Sequence, residues 1–173
     1  MIWFTADTHF GHEKILTHMP ERQMLQDMDG TLIDEINGRV GRNDELWMLG
    51  DFCWAASRAG HYRQRIKCRK VHVLRGNHDS SSLRSHVSTM ELMAIKRFGD
   101  QLFHLCHYPL RDWAHMYYGG RHLHGHCHGR LSRLPGSLDV GVDNARKVLG
   151  AWRPFSLDDV LDLTNDGILP TLQ

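Results

Sequence analysis

Several short apolar segments of this chain end in compact polar strings that contain the residue types proteins use to hold metal ions. Three of these segments, at residues 2–6, 45–49 and 71–74, have the composition of buried strands. Apolar spacing between them predicts helices, so the first half of the chain follows the order β-α-β-α-β. That order favours an α/β fold with a mixed sheet, in which ligands gather at the carboxyl ends of strands.

The rest of the chain is predicted to be mostly β. Two strands over 90–97 and 101–106 enclose Gly99 and Asp100, a spacing typical of a hairpin. The other predicted elements are helices near 12–18, over 31–40 and over 55–67, a short helix capped by Ser80, short strands near 121–124 and 137–142, and a helical turn that begins at Ser156. Because no repeat or Pro/Gly/Ser-rich linker interrupts the chain, we expect one domain over residues 1–173.

Histidine is the residue type whose abundance stands out, with 14 among 173 residues, and several fall in tight clusters. The formal net charge of +1 gives no overall attraction to nucleic acid or membranes. No segment approaches the roughly 18 apolar residues of a membrane span. The four cysteines show neither CxxC spacing nor a secreted disulfide pattern. We therefore expect a cytoplasmic protein with free thiols and no membrane partner.

The first two polar strings follow the first two predicted strands. Asp7 and His9 are two residues apart, so in extended backbone their side chains point the same way and could grip one ion. Asp51 follows Gly50, which allows a sharp turn, and its two carboxylate oxygens could bridge two cations. For each of these two strings taken alone, an ordinary polar turn is the favoured interpretation.

The third string, residues 76–79, follows the third predicted strand. Asn77 offers a neutral amide oxygen to a cation. Beside it, His78 could donate a proton, and Asp79 could hold the other ring nitrogen of His78. A polar type I turn is the alternative interpretation of this segment.

The last two strings are rich in histidine. His107 precedes Pro109, which ends a predicted strand. His126 and His128 are two apart and flanked by glycines, so they share a face and allow close approach. His122 and His124 have the same period but lie within the predicted strand, and we interpret them as structural rather than as ligands.

Taken together, the five strings supply two carboxylates, one amide and four imidazoles. This mixture of oxygen and nitrogen donors suits Mn, Fe, Zn, Co or Ni and is poor for Ca. With one bridging carboxylate, the set is large enough for two ions. The predicted metal ligands are Asp7, His9, Asp51, Asn77, His107, His126 and His128.

These strings, in this order, resemble the calcineurin-like metallophosphoesterase superfamily, whose pattern is D-x-H, G-D, G-N-H-D/E, H and G-H-x-H. Further likeness to a small bacterial and phage branch comes from residues 5–12, 49–52, 107–110 and 139–143, whereas residues 21–23 match that branch more loosely. The resemblance implies a four-layer α/β/β/α sandwich of two mixed sheets flanked by helices.

The resemblance also implies how the ligands are divided between two divalent transition-metal ions, with manganese the metal we favour. One ion would be bound by Asp7, His9, Asp51 and His128, and the other by Asp51, Asn77, His107 and His126. Asp51 would bridge the ions. His78 and Asp79 would be the catalytic pair, with His78 as the acid or phosphate-contacting residue and Asp79 as its orienting partner.

The reaction expected of such a centre is phosphoester hydrolysis by a metal-bridging hydroxide, with ions about 3.5–4 Å apart. We favour a phosphodiesterase, with a phosphomonoesterase or nucleotidase as the alternative. A non-catalytic metal-binding scaffold is less favoured, because all the ligands and His78 are present.

Substrate contacts are predicted near the first ligand pair and the His107 loop. His12 and Phe10 could line the rim, Arg111 could pair with a phosphate oxygen, and Trp113 and Tyr117 could stack on an aromatic group. Surface or core packing is the alternative for each.

The expected partner is a phosphoester, for which a nucleotide-like molecule is one candidate, and homo-oligomers are compatible with the sequence. A basic stretch at residues 58–75 leaves a nuclease open, but a solvated helix face is the simpler interpretation, so nucleic acid is not favoured.

Overall fold

The computed structural model describes residues 1–165, which form two β-sheets and five α-helices. The strands are β1 (Ile2–Thr5), β2 (Glu45–Met48), β3 (Lys70–Leu74), β4 (Thr89–Glu91), β5 (Met93–Phe98), β6 (Gln101–Cys106), β7 (Arg121–His124), β8 (Ser137–Asp139) and β9 (Phe155–Ser156). The helices are α1 (Ile15–His18), α2 (Met28–Arg39), α3 (Ala59–Arg65), α4 (Val142–Leu149) and α5 (Leu157–Leu163). Short 3-10 helices cover Pro20–Met24, Ala56–Arg58, Ser81–His86 and Met116–Tyr118.

Both sheets are mixed, as the predicted fold class requires. The first has the order β4-β3-β2-β1-β9, with β9 antiparallel to β1 and the other neighbours parallel. The second has the order β5-β6-β7-β8, with β5 antiparallel to β6 and the rest parallel. Two mixed sheets flanked by helices confirm the predicted α/β class.

The core has two parts because successive residues of a strand point to opposite faces of the sheet. On β1, Trp3 packs in the cluster that includes α2 and α3, whereas Phe4 packs between the sheets. Phe103 of β6 and Leu123 of β7 reach the same inter-sheet core from the other side. Each such buried side chain contributes about 1.5–3 kcal/mol relative to exposure.

Some predicted elements differ from the observed ones. The predicted strand over 90–97 is two strands, because the chain leaves the first sheet after Glu91 and enters the second at Met93. The predicted helix near 12–18 is a single turn, followed by a 3-10 helix whose first residue, Pro20, has no amide to continue an α-helix. The predicted strand over 137–142 ends at Asp139, and α4 follows it.

The structure confirms two local predictions, a hairpin and a helix start. Gly99 and Asp100 join β5 to β6 in an antiparallel hairpin, as predicted. Ser156 caps α5 in a capping box with Asp159, as its sequence indicates. Within residues 1–165, every helix is too short or too polar to cross a bilayer.

Candidate metal centre

The polar strings converge because the strands that precede them are parallel neighbours. The loops after β1 and β2 are joined by backbone bonds from Asp7 N to Gly50 O at 3.0 Å and from His9 N to Asp51 O at 2.9 Å. The backbone amide of His126, beyond β7, donates to the Asp7 carboxylate at 2.9 Å. This bond ties the second sheet to the first, so the strings lie at one edge of the molecule.

Most of the predicted ligands lie in the left-handed region of backbone conformation, which is costly for residues with a Cβ. Such a conformation costs about 1–3 kcal/mol per residue and persists only where the surroundings enforce it. Apart from His115, the non-glycine residues of 1–165 with positive φ are all predicted ligands: Asp7 (57°), His9 (49°), Asp51 (54°), His126 (69°) and His128 (51°). The strained backbone therefore coincides with the predicted ligands.

The predicted ligands are in mutual contact. Asp51 Oδ2 lies 3.5 Å from both His9 Nε2 and His107 Nε2. Asn77 Oδ1 lies 3.1 Å from His107 Nε2 and 3.1 Å from His126 Nδ1. Asp51 thus stands between two groups of donors, which is the position that a bridging carboxylate needs.

Two overlapping triads have ligand atoms within 4.8 Å of one another. One comprises Asp7, His9 and His128, and the other comprises Asp7, Asp51 and His107. Asp7 therefore lies beside both groups, although the sequence resemblance placed it in one alone. With Asn77 and His126 adjoining the second triad, the structure brings all the predicted ligands together.

The carboxylates of the centre are buried. Asp7 is fully buried and Asp51 is 2% exposed. Burial, followed by the charges of Asp139 and Asp51, raises the pKa of Asp7 well above its ordinary value. Buried carboxylates are costly unless a positive charge compensates them, and divalent ions at this position would do so.

His9 gives the most direct indication that the donors fit metal ions. Its ring is 2% exposed, yet neither ring nitrogen has a hydrogen-bond partner. Burial, then the neighbouring His128, lowers the pKa of His9 to about 2, so its ring is neutral. A buried neutral imidazole with bare nitrogens is the form that coordinates a metal.

Glycines in the strings make room for the ligands. A Cβ on Gly50 would overlap the His107 ring, and one on Gly76 would overlap the Asp51 carboxylate. A Cβ on Gly125 would lie 2.8 Å from Asp7 Oδ2. The glycines of the G-D, G-N and G-H strings are thus needed for close packing around the centre.

The ligand rings are oriented by groups behind them. His107 Nδ1 lies 2.8 Å from the Leu49 carbonyl, to which it donates when the ring is neutral, leaving Nε2 toward Asp51. His128 Nδ1 lies 2.6 Å from Asp143 Oδ2. Such partners fix the ring orientation of ligating histidines and raise their basicity.

Sequence reasoning missed a buried ion pair that supports the centre. The guanidinium of Arg22, fully buried, donates to Asp143 Oδ1 at 2.8 Å and Oδ2 at 2.5 Å. It also donates to the carbonyls of Asp7 at 2.7 Å and Thr8 at 3.2 Å. Burial raises the pKa of Asp143, but the bonds from Arg22 and His128 outweigh it and lower that pKa to about 2. The available signal was the position of Asp143 within residues 139–143, which resemble the small bacterial and phage branch. Arg22 lies in residues 21–23, which match that branch more loosely.

Asp79 does not orient His78, contrary to the sequence-based interpretation. Its carboxylate accepts backbone N–H bonds from Asp51 at 2.8 Å, Phe52 at 2.8 Å and Gly76 at 2.9 Å. Burial raises its pKa, against the effect of these bonds. Because its oxygens are occupied by amides, Asp79 fastens the loop after β3 to the loop after β2.

His78 lies in an open pocket above the ligands. The pocket has a volume of about 390 Å³ and is lined by His9, His78 and His126, among others. His78 is exposed, its ring centroid is 5.3 Å from that of His9, and its backbone N–H donates to Asp51 Oδ1 at 2.9 Å. The side chain is thus placed to meet a molecule that enters the pocket.

The predicted substrate contacts have different outcomes. His12 lines the pocket. Trp113 is only 6% exposed, and its indole donates to Gly120 O at 2.7 Å and packs on His122, so it is a structural residue. Arg111 is exposed on the segment after β6 and is not among the residues that line the pocket.

The other side chains singled out in the sequence lie either in the core or on the surface outside the pocket. Phe10 is fully buried against Phe52 and Tyr62 rather than at the rim. Tyr117 is partly exposed outside the pocket. His122 and His124 are buried in β7, as the structural interpretation requires.

Comparison with known proteins agrees with this geometry. Residues 1–164 match the family model of the calcineurin-like phosphoesterases. The chain therefore belongs to the calcineurin-like phosphoesterase family.

Individual relatives are distant but extend over almost the whole chain. The chain is 26% identical to the Gene 66 protein of Mycobacterium phage L5, covering 94% of this chain and 93% of that protein. It is also 26% identical to an uncharacterized protein of Methanocaldococcus jannaschii, covering 96% and 92%. A crystal structure of a protein of unknown function from Aquifex aeolicus superposes with a TM-score of 0.75 at 21% identity, covering 94% and 98%, and shows the same fold.

Proposed function

We propose that this protein is a phosphodiesterase that hydrolyses its substrate with two divalent transition-metal ions. The observation that carries the proposal is the contiguous donor set around Asp51, in which neither ring nitrogen of the buried His9 has a hydrogen-bond partner. Family membership supports phosphoester chemistry and divalent metals without fixing the ester class.

We assign the donors to two ions on either side of Asp51 as the resemblance implies. One ion would be held by Asp7, His9, Asp51 and His128, and the other by Asp51, Asn77, His107 and His126. Oxygen and imidazole donors in this ratio suit Mn, Fe, Co, Ni or Zn, and manganese is the metal we favour. When bound, the ions supply an activated water nucleophile and offset negative charge on the phosphoryl oxygens.

The protein residues supply positioning and proton transfer. In the hydrolysis, a water oxygen forms a bond to phosphorus, the ester P–O bond breaks, and the leaving oxygen takes up a proton. His78, exposed in the pocket next to His9, donates that proton. Such proton transfer contributes about 10²–10⁴-fold to rates. Asp79 acts at a distance by fixing the loops that carry Asp51 and Asn77.

A diester substrate is favoured because the pocket is open and has room for two ester arms. The cationic Arg130 lies in the same pocket, but its guanidinium contacts Met19 Sδ and the His18 carbonyl rather than a proposed metal ligand. A monoesterase would need cationic side chains next to the metal ligands, because its substrate phosphate carries two negative charges. The free thiols of all four cysteines fit the cytoplasmic location expected from the sequence.

Paired assays on metal-loaded protein test the proposal. We expect higher kcat/KM with bis-p-nitrophenyl phosphate than with p-nitrophenyl phosphate in the presence of Mn. His78→Ala should retain bound metal and lose about 10²–10⁴-fold in kcat, whereas His61→Ala, at an exposed histidine outside the pocket, should match the wild type.

Three outcomes would contradict parts of this proposal. A preference for the monoester would make the protein a monoesterase. Full activity of His78→Ala with normal metal content would remove His78 as the proton donor. No turnover of either compound with Mn, Fe, Co, Ni or Zn would favour a non-catalytic scaffold.

A further inference from the structure

An exposed tryptophan lies on one side of the pocket above the metal centre. The indole of Trp54 stacks on the His12 ring with centroids 3.9 Å apart and planes at 8°. His12 is 8% exposed, whereas Trp54 is 48% exposed. The stack covers one indole face and leaves much of the ring open to the pocket.

The Trp54 ring is also close to the proposed proton donor. Its centroid is 5.0 Å from that of His78, with planes inclined at 40°. A flat group stacked on Trp54 would therefore lie beside the group that receives the proton from His78. Stacking of a nucleobase on an aromatic side chain is worth about 1–3 kcal/mol per base and tolerates any base, because every base has a π face.

The same pocket is also lined by basic residues. They are Lys14, His18 and Arg130, and within residues 1–165 the sole acidic residue that lines the pocket is the proposed metal ligand Asp51. The Nη2 atom of Arg130 contacts Met19 Sδ at 2.9 Å and donates to the His18 carbonyl. A guanidinium has five N–H donors, so donors remain for an anion entering the pocket.

We propose that the substrate is a short single-stranded oligonucleotide. The metal centre would hold the scissile phosphodiester, Trp54 would stack on an adjoining base, and Lys14 with Arg130 would bind a second phosphate. This inference rests on the proposed phosphodiesterase function and specifies its substrate class.

Two features favour a short strand over a long duplex. The pocket volume of about 390 Å³ suits a few groups of one strand. The formal net charge of +1 gives no extended attraction to a duplex, whose binding depends on many phosphate contacts.

The contact of the basic residues is tested with dinucleotides that differ by one terminal phosphate. We expect metal-loaded protein to cleave pTpT or TpTp with about tenfold higher kcat/KM than TpT, the effect of one charge-assisted phosphate contact. Lys14→Met and Arg130→Met should each lower this ratio, and the double variant should bring it near one. Lys67→Met, at an exposed lysine outside the pocket, should keep the wild-type ratio.

The aromatic contact is tested by removing the bases. The ratio of kcat/KM for TpT over the corresponding diester with two abasic sugars should be about tenfold in the wild type. It should fall toward one in Trp54→Leu and recover in Trp54→Phe.

The failures of the two proposals are distinguishable. Turnover of bis-p-nitrophenyl phosphate without any preference for a terminal phosphate, or with a preference that survives the double variant, would overturn the phosphate contact. Equal cleavage of TpT and its abasic analogue would overturn the stacking contact. Absence of turnover of both bis-p-nitrophenyl phosphate and the dinucleotides would instead overturn the phosphodiesterase function itself.

Discussion

Asp143 Oδ2 lies 2.6 Å from His128 Nδ1, and this contact, which sequence reasoning did not predict, connects the candidate metal centre to helix α4. The same carboxylate is paired with Arg22, whose guanidinium also holds the carbonyl of Asp7. One buried pair thus positions a ligand ring from one string and the backbone of another.

Replacing Asp143 by Asn should weaken metal binding. The amide keeps the shape of the carboxylate but not the charge that orients His128 and compensates Arg22, and loss of such a partner typically costs about 10–100-fold in metal affinity. Titration of metal-free protein with Mn, followed by calorimetry, measures the change.

The matched control is Asp158→Asn, an exposed acidic residue in the first turn of α5. It should bind Mn as the wild type does. Folded Asp143→Asn with unchanged Mn affinity would show that the contact to His128 does not support the centre.

Asp79→Asn should reduce stability. Its Oδ2 accepts from the amides of Asp51 and Gly76, and its Oδ1 from that of Phe52, so an amide group must leave at least one buried N–H unpaired. Loss of a bond to a charged acceptor costs about 1.5–3 kcal/mol. Urea unfolding monitored by circular dichroism measures the difference.

The same variant separates the two interpretations of Asp79. If Asp79 oriented His78, kcat would fall while stability stayed constant. Unchanged unfolding free energy combined with lost turnover would therefore contradict the loop-fastening role derived from the structure.

His122 should make the protein less stable in mild acid. Its Nδ1 lies 3.1 Å from His104 O and its Nε2 accepts from Leu110 N–H at 3.0 Å, an arrangement that requires a neutral ring. Burial, then the neighbouring His124, lowers its pKa from 6.5 to about 4. Between these values the unfolded chain binds more protons, so stability falls as pH drops from about 6.5 to about 4.

The contribution of His122 to this loss is on the order of 2–3 kcal/mol. It is isolated by comparing the unfolding free energies of the wild type and His122→Asn, which does not titrate, at pH 7.5, 5.5 and 4.5. His122→Asn should be less stable at pH 7.5, and the difference should shrink as the pH falls. A pH-independent difference would rule out the buried neutral ring as its source.

The sequence predicted which side chains come together at the candidate centre, because each follows a strand and carries chemistry visible in its residue type. Asp7, Asp51 and Asn77 end three parallel neighbours, so local patterns were enough to bring them together. The α/β class followed from the same order of elements.

Other features depended on contacts between distant segments. Arg22 and Asp143 are 121 residues apart, and neither has a local pattern that indicates burial. Trp113 and Trp54 are both aromatic residues near ligand strings, and only tertiary packing makes the first structural and leaves the second exposed in the pocket. The orientation of Asp79 likewise depends on amides of the Asp51 loop.

The central claim is that one set of side chains around Asp51 holds two ions, and manganese spectroscopy tests it most directly. After removal of metal and loading with Mn, mass spectrometry should find two ions per chain, and electron paramagnetic resonance should show a spin-coupled pair. Asp51→Asn should lose the coupled signal, and Asp100→Asn, at an exposed turn residue, should keep it. A single uncoupled ion per chain in the wild type, or a coupled pair that survives in Asp51→Asn, would contradict the account.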